Sequence, residues 1–266
     1  MYRKTISILL IVSAGCVAAF SQTTTPNGSP ATSQAAAPPP GQGAVQAPAP
    51  PPRPQPPTPS EVSVLKEKAL AGNVSAQAKL GQMYALGQGL PRNLTEAAKW
   101  FRKAAEQGDA GSQLKLGVMY IGGFGVAPNI EQGLTWYKKA AAQGNIDAMM
   151  QLGSFYESGM QVTKNGREAL GWYSMAGNKG SVDAEIKVGY LYLNGFDNVQ
   201  RDYEQALKWF RKAAQKGNGE AEFNVGRMYE QGLGVGASVD EAAAWYTKAA
   251  QHEFTQAARA LRNLGR

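Results

Sequence analysis

Tryptophan recurs at a nearly constant interval through most of this chain, and this interval restricts the possible fold more than any other feature. Each tryptophan is followed by a second aromatic residue, and successive pairs are 36, 36, 37 and 36 residues apart. A Leu-Gly or Val-Gly dipeptide keeps the same step, from Leu80-Gly81 to Val225-Gly226. Two signals that share a period of about 20 to 50 residues indicate an array of structural repeats, because a single closed core imposes no such register. The tryptophans are Trp100, Trp136, Trp172, Trp209 and Trp245.

The second half of each repeat has the pattern of an amphipathic helix. In the first repeat, Asn93 is followed three positions later by Glu96, and this spacing is typical of a capping box at a helix start. The apolar residues that follow are spaced three and four apart, so they form one buried face. Gly108 then provides the left-handed conformation that ends many helices. The same cap spacing occurs at Asn129 and Gln132, Asn165 and Glu168, Asp202 and Gln205, and Ser238 and Glu241.

The first half of each repeat also predicts a helix, but with a different buried face. Small residues such as Ala76 and Gly81 allow a neighbouring helix to approach closely. A tyrosine at a fixed position in each copy is predicted to fill the space between helices, and burial of one such ring removes roughly 150–250 Å² from water. These tyrosines are Tyr84, Tyr120, Tyr156, Tyr192 and Tyr229.

The stretch AQAKLGQMYALGQGLPRNLTEAAKWFRKAAEQG, residues 76–108, resembles the Sel-one-like repeat, a longer relative of the tetratricopeptide repeat. The resemblance covers residues 60–266. It implies an all-α solenoid of five antiparallel helix pairs in a right-handed superhelix, and a role in holding proteins together. The predicted repeats are 73–108, 109–144, 145–180, 181–217 and 218–253, with capping helices at 60–71 and 254–264.

The amino-terminal residues have the pattern of an export signal. Arg3 and Lys4 precede an apolar run at residues 6–12, which is too short to span a membrane. Small residues follow, and they predict a signal peptide at residues 1–21 with cleavage before Gln22. The sequence leaves one alternative open, in which the single cysteine, Cys16, is lipidated and anchors the protein in the outer membrane.

Residues 22–59 contain 13 of the 15 prolines, one charged residue (Arg53) and no aromatic residue. A segment of this composition cannot bury enough apolar surface to offset its conformational entropy, so it predicts a disordered linker. The signal peptide predicts an exported protein, either periplasmic or secreted. We also expect a monomer with no integral membrane span.

The repeat region offers few residues for catalysis. Its 24 basic and 20 acidic residues are interspersed, which argues against nucleic acid as a partner. A single histidine, His252, predicts neither a transition-metal site nor a cofactor, and it is interpreted as a surface residue. Ser63 with Lys66, and Ser112 with Lys115, match the Ser-x-x-Lys string of penicillin-recognising enzymes, but no Lys-Thr-Gly string accompanies them. We therefore expect no catalytic residue; a secreted enzyme of the β-lactamase-like or cell-wall-acting kind is the alternative.

The remaining candidate site is a groove along the first helices, which line the concave side in related helix-pair solenoids. Positions next to the repeated Leu or Val and one turn further on are predicted to face this groove. The position before each Leu or Val forms an open, incomplete lysine row, made of Lys79, Lys115, Gln151, Lys187 and Asn224. With the apolar patches beside it, this row suits an extended peptide or a carboxylate-bearing segment of another protein, with Tyr190 as a buried anchor. The predicted groove residues are Lys79, Lys115, Val118, Ile121, Lys187, Tyr190, Leu193 and Arg227.

Overall fold

The structure is a computed structural model that describes residues 57–160 and 162–265. These residues form twelve α-helices and no β-strand, so the predicted all-α class is confirmed. The predicted signal peptide and most of the predicted linker lie outside the described residues. The helices are α1 (Pro59–Leu70), α2 (Val74–Leu86), α3 (Leu94–Glu106), α4 (Ala110–Gly122), α5 (Ile130–Ala142), α6 (Ile146–Ser158), α7 (Gly166–Asn178), α8 (Val182–Asn194), α9 (Tyr203–Ala214), α10 (Gly219–Gln231), α11 (Val239–Gln251) and α12 (Thr255–Asn263).

The helices α2 to α11 form five consecutive pairs, and α1 and α12 flank them. Each helix packs on the helix before it and the helix after it in the chain. First helices of neighbouring pairs also touch, as the 3.2 Å contact between Lys187 Nζ of α8 and Glu157 Oε2 of α6 shows. Second helices do the same, because Lys212 Nζ of α9 donates to the carbonyl of Gly177 in α7 at 3.0 Å. The array is therefore a two-layer α-solenoid; the hand of its superhelix stays a prediction.

The second helix of every pair begins at the predicted capping residue. Asn93 Oδ1, for example, accepts a hydrogen bond from the backbone N–H of Glu96 at 3.0 Å, and the other four copies repeat this bond. The reciprocal bond of a capping box is absent from these five starts. The backbone N–H of Asn93 instead donates to the carbonyl of Tyr84 at 2.8 Å, which ties the start of each second helix to the end of its first helix.

The glycine of each Leu-Gly or Val-Gly pair lies against an aromatic ring of the second helix. A Cβ atom added to Gly153 would lie 2.5 Å from Cε1 of Tyr173, and the other four repeats have the same contact at 2.6 to 2.8 Å. Because no side chain fits in this space, glycine sets the distance between the two helices. The rings are those of Phe101, Tyr137, Tyr173, Phe210 and Tyr246, each no more than 2% exposed.

The tryptophans occupy a less buried position than the aromatic residues that follow them. All five are half-buried, as are the five repeated tyrosines of the first helices. Trp209 packs on a core cluster that contains Tyr173 of the preceding repeat, so this indole lies between two repeats. Its outer face is covered by Lys212, whose Nζ lies 4.7 Å from the ring centroid. The same lysine–tryptophan contact occurs at Trp100, Trp136 and Trp245.

A buried polar residue links three helices in most repeats. In the second repeat, Gln113 of α4 donates to the carbonyl of Ala105 in α3 at 3.0 Å and accepts from Gln143 after α5 at 2.8 Å. Gln77 makes the same two bonds in the first repeat. In the fourth repeat this position is Glu185, which has no exposed surface and forms ion pairs with Lys212 and Lys216 at 3.2 and 2.9 Å.

The fifth repeat uses histidine for this link. Glu222 of α10 is 3% exposed, and its Oε2 lies 2.7 Å from Nδ1 of His252 at the end of α11. The interpretation of His252 as a plain surface residue is therefore incomplete, because the ring is partly exposed but is paired with a buried carboxylate.

The contact between glycine and the aromatic ring predicts opposite effects for two glycine substitutions in one repeat. Gly153→Ala places a methyl group against Tyr173, and the strain of overpacking, about 1–3 kcal/mol, exceeds the gain in helix propensity of about 1 kcal/mol. Gly171→Ala meets no atom within 4 Å and should raise the free energy of unfolding by up to about 1 kcal/mol. The free energy of unfolding of each variant is measured by urea denaturation monitored by circular dichroism. If both substitutions changed this free energy by the same amount and in the same direction, the glycine–ring contact described here would be contradicted.

The buried Glu185 predicts a second pair of outcomes. Replacing both lysines, Lys212→Ala with Lys216→Ala, leaves the carboxylate buried without a counter-charge and should lower the free energy of unfolding by about 3–5 kcal/mol. Adding Glu185→Gln to this variant removes the buried charge and should recover most of the loss. Urea titration of the three proteins tests this; a further loss on adding Glu185→Gln would show that the charge is not the cause.

Candidate protein-interaction surface

The first-helix surface consists of the side chains of α2, α4, α6, α8 and α10 that are not enclosed in the core. All eight predicted groove residues lie on these helices. Four charged side chains are exposed, and four apolar or aromatic side chains are half-buried. The exposed ones are Lys79, Lys115, Lys187 and Arg227, and the half-buried ones are Val118, Ile121, Tyr190 and Leu193.

The three aliphatic residues of this set pack partly on the core. Val118 and Ile121 lie against the cluster that contains Leu134 and Tyr137. A Cβ atom added to Gly133 would lie 2.5 Å from Cγ1 of Ile121, so this side chain covers the backbone of α5. Leu193 likewise packs on the cluster of the fourth and fifth repeats. Each therefore offers only part of its surface to a partner.

Tyr190 is held by contacts on both its ring and its hydroxyl. The ring meets Phe210 edge to face, with centroids 5.2 Å apart. The hydroxyl donates to Glu220 Oε1 at 2.8 Å and accepts from Asn224 Nδ2 at 2.9 Å. Burial, followed by the hydrogen bond to Glu220, raises the pKa of Tyr190. Asn224, expected on the open row with the lysines, is only 2% exposed and serves to fix this tyrosine.

The lysines of the predicted row differ in their surroundings. Lys187 pairs with Glu157, whose Oε2 also accepts the hydroxyl proton of Tyr173 at 2.7 Å. Burial and then this bond raise the pKa of Tyr173. Lys115 lies over the ring of Phe101, with Nζ 5.5 Å from the centroid. Within the described part of the chain, neither Lys79 nor Lys115 forms an ion pair.

A shallow depression of about 490 Å³ brings two of the predicted residues together. Lys187 and Tyr190 both line it, together with the apolar residues Met150 and Ile186. Arg227 and Leu193 line a second depression of about 220 Å³, and Asn194 borders both. Lys79, Lys115, Val118 and Ile121 line neither of them. The larger depression also holds three carboxylates that the sequence analysis did not single out: Glu157, Asp183 and Glu220.

One sequence signal could have identified part of this acidic set. In the third and fifth repeats the buried aromatic residue is a tyrosine, and its hydroxyl donates to a glutamate sixteen residues earlier. Where the aromatic residue is phenylalanine, the equivalent first-helix residue is apolar, Ala85 or Leu193. A buried tyrosine hydroxyl favours an acceptor, and the glutamate supplies it in these two repeats. The second repeat is an exception, because its buried ring is also a tyrosine, Tyr137, while the equivalent first-helix residue is Ile121.

The Ser-x-x-Lys string at Ser112 does not form a catalytic pair. Ser112 has no exposed surface and its Oγ has no hydrogen-bond partner among the described residues, whereas the ammonium group of Lys115 lies over the ring of Phe101. A nucleophile must be reachable by its substrate, and this hydroxyl is enclosed by the repeat core. Residues 57–160 and 162–265 also contain no group of three His, Cys, Asp or Glu side chains that could hold a metal ion. None of the helices in those ranges is long and apolar enough to cross a bilayer.

Five equivalent helix pairs with an exposed first-helix layer define a repeat protein of the α-solenoid class. The family model described as Sel1 repeat matches residues 74–109, 110–145, 146–181, 182–218 and 219–253. The chain belongs to the Sel1 repeat family, which confirms the resemblance noted from the sequence. No curated protein matches the chain at the sequence level.

Two solved structures are similar in both sequence and fold. A Sel1 repeat protein from Oxalobacter formigenes is 33% identical, with a TM-score of 0.64 over 73% of this chain and 79% of the other. The protein c5321, a protective antigen present in uropathogenic Escherichia coli strains and displaying an SLR fold, is 32% identical, with a TM-score of 0.60 over 76% of this chain. This chain covers 43% of c5321, so less than half of that protein is matched.

The hydrogen bonds of Tyr190 predict a modest loss of stability when its hydroxyl is removed. Tyr190→Phe should lower the free energy of unfolding by about 1 kcal/mol, because Asn224 and Glu220 each lose a partner. Tyr84→Phe is the matched control, since the hydroxyl of Tyr84 makes no hydrogen bond in the described part of the chain, and it should change stability by less than about 0.5 kcal/mol. Thermal unfolding under identical conditions compares the stabilities of the two variants. Equal losses of stability would contradict the hydrogen bonds described for the Tyr190 hydroxyl.

Proposed function

We propose that this protein is an exported, non-enzymatic scaffold that binds a segment of a partner protein along its first-helix surface. The observation that carries the proposal is the contrast between the two sides of each first helix. One side repeats the same packing residues in all five copies, and the other presents different side chains in each copy. Sel1 repeat proteins generally mediate protein–protein interaction, so the class of function agrees with this reading.

The contrast is clearest at two positions that are two residues apart. The position of Leu80 is Leu or Val in every repeat and has no exposed surface, because it packs in the core. Two residues later, the equivalent residues differ in size, polarity and charge from one repeat to the next, and each of them is exposed or half-buried. They are Gln82, Val118, Ser154, Tyr190 and Arg227. Folding does not require this variety, whereas recognition of one particular partner does, since specificity comes from differences along the binding surface.

Lys79 and Lys115 of the first-helix surface are exposed and form no ion pair with any described residue, so they suit a carboxylate-bearing segment of the partner. Their ammonium groups are close to solvent, so they contribute attraction at long range and a faster encounter more than affinity. Apolar contact from Val118, Ile121 and the ring of Tyr190 supplies the short-range part of the interaction. The protein acts as a monomer in this proposal.

Export is proposed from the sequence of residues 1–21, and the Pro-rich residues 22–59 are proposed to act as a linker. The location is the periplasm or the medium. Lipidation of Cys16 would instead hold the protein at the outer membrane, and Cys16→Ser distinguishes the two, because only an anchored protein moves to the soluble fraction after this change. The enclosed hydroxyl of Ser112 gives no support to the alternative of a β-lactamase-like enzyme.

Affinity capture with paired variants tests the proposed binding surface. The bait Tyr190→Ala with Lys187→Glu changes the first-helix surface, and Lys138→Glu with Lys208→Glu changes exposed lysines of the second helices. Proteins retained by the unchanged bait and by the second-helix variant, but lost from the first-helix variant, are identified by mass spectrometry. Their affinity is then measured with purified components, and a loss of about tenfold or more is expected for the first-helix variant. Equal affinity for all three baits would count against this surface.

A further inference from the structure

Charge is distributed unequally along the five first helices. The only charged residues of α2 and α4 are Lys79 and Lys115. The helices α6, α8 and α10 contain seven acidic residues and two basic ones, Lys187 and Arg227. The first helices of the first two repeats therefore carry only positive charge, whereas in the later repeats the predicted lysine row is interrupted by acidic residues.

Burial separates the seven carboxylates into two groups. Glu185 and Glu222 point into the core, where Lys216 and His252 pair with them. The other five are exposed or half-buried and belong to the first-helix surface. They are Asp147, Glu157, Asp183, Glu220 and Glu230.

The contacts between repeats show that these carboxylates and the lysines share one surface. Lys187 of α8 reaches Glu157 of α6, and Tyr190 of α8 reaches Glu220 of α10. Lys115 occupies the position of Lys187 two repeats earlier, and Asp147 occupies the position of Glu220 two repeats earlier. All of these side chains therefore lie on the same side of the first-helix layer.

The two halves of the surface act as separate electrostatic sites. Packed helices are spaced by about 8–10 Å, and the Debye length at physiological ionic strength is about 8 Å. A charge on a bound segment is therefore sensitive mainly to the helix beneath it and its nearest neighbour. The helices α2 and α4 contribute two cations and no carboxylate, and the acidic residue Glu61 of α1 interacts with Lys79. The helices α6 to α10 contribute five surface carboxylates and two cations, and the pairing of Lys187 with Glu157 leaves four carboxylates and Arg227.

We infer that the first-helix surface binds an extended peptide segment in one orientation, with an acidic end over α2 and α4 and a basic end over α6, α8 and α10. This inference rests on the proposed function and specifies the chemistry of the partner. A segment that is acidic throughout meets repulsion from Asp183 and Glu220, so the expected carboxylate-bearing partner is restricted to one half of the surface. The reversed orientation places like charges opposite each other, and such contacts lower affinity for a wrong arrangement.

Synthetic peptides of defined charge order test the inference with the full repeat region. The probe has four aspartates at one end, four lysines at the other, and a middle of alternating tyrosine and alanine. The comparison peptides have the same middle and either eight aspartates or eight lysines. Fluorescence anisotropy at low ionic strength should give the split peptide a Kd about tenfold below either uniform peptide. A split peptide that binds no better than both uniform peptides overturns the inference.

Charge substitutions locate the two ends of the probe. Lys79→Glu with Lys115→Glu, and separately Asp147→Asn with Asp183→Asn, should each weaken the split peptide several-fold. Asparagine is chosen because Asp147 and Asp183 lie in the first turns of their helices and have no side-chain hydrogen bond or ion pair within residues 57–160 and 162–265. The matched controls change exposed charges elsewhere, Lys138→Glu with Lys208→Glu and Glu67→Gln with Glu106→Gln, and should leave the Kd unchanged.

A photoreactive group at the acidic end of the split peptide reports orientation directly. Cross-links should map to α2 and α4 in the unchanged protein. In a variant that combines Lys79→Glu and Lys115→Glu with Asp147→Lys and Asp183→Lys, they should move to α6 and α8. Cross-links spread equally over all first helices would reject the directional inference and leave the proposed function standing, whereas cross-links confined to the second helices would reject both.

Discussion

The close contact between one glycine and one aromatic ring is repeated in all five helix pairs, and the rest of the structure depends on it. At Gly153 the backbone of the first helix approaches the ring of Tyr173 so closely that even a methyl group would overlap it. This contact fixes how near the two helices lie, and the buried Leu or Val beside each glycine then fills the adjacent space. Because each pair is fixed internally in the same way, successive pairs can stack in a regular array and share one continuous core.

The core of each repeat depends mainly on the glycine, the aromatic ring and the buried Leu or Val, so the residues at other positions can differ between repeats. The buried polar position shows how far this freedom extends, since Gln113, Glu185 and Glu222 occupy equivalent places with different partners. In each case the change on the first helix is matched by a change at the end of the second helix, from Gln143 to Lys216 to His252. A buried polar group without a partner costs about 1–3 kcal/mol, so such a position can vary only together with its partner. The exposed positions have no such constraint, which is why they can differ from repeat to repeat.

The sequence was sufficient to predict the fold because its signals are local and repeated. The period of the tryptophans, the caps such as Asn93 and the Leu-Gly pairs each act within one helix or between adjacent helices, and the structure confirms the all-α solenoid that they predict. The sequence does not show which aromatic residue of each pair is more deeply buried, because Trp100 and Phe101 are both apolar and only the packed array shows that the second one meets the glycine. It also placed Asn224 on the open row, since the helical period cannot show that Tyr190 of the preceding repeat would cover it.

The acidic residues of α8 and α10 show most clearly why the charge of the first-helix surface could not be predicted from composition. Asp183 and Glu185 are two residues apart in α8, and Glu220 and Glu222 have the same spacing in α10. Either pair looks like a cluster of negative charge in a first helical turn, which favours a helix amino terminus regardless of any partner. Residues two apart on a helix, however, are separated by about 200° around its axis. One carboxylate of each pair therefore enters the core and needs an internal cation, while the other remains on the first-helix surface, so half of this charge serves the fold and half is available to a partner.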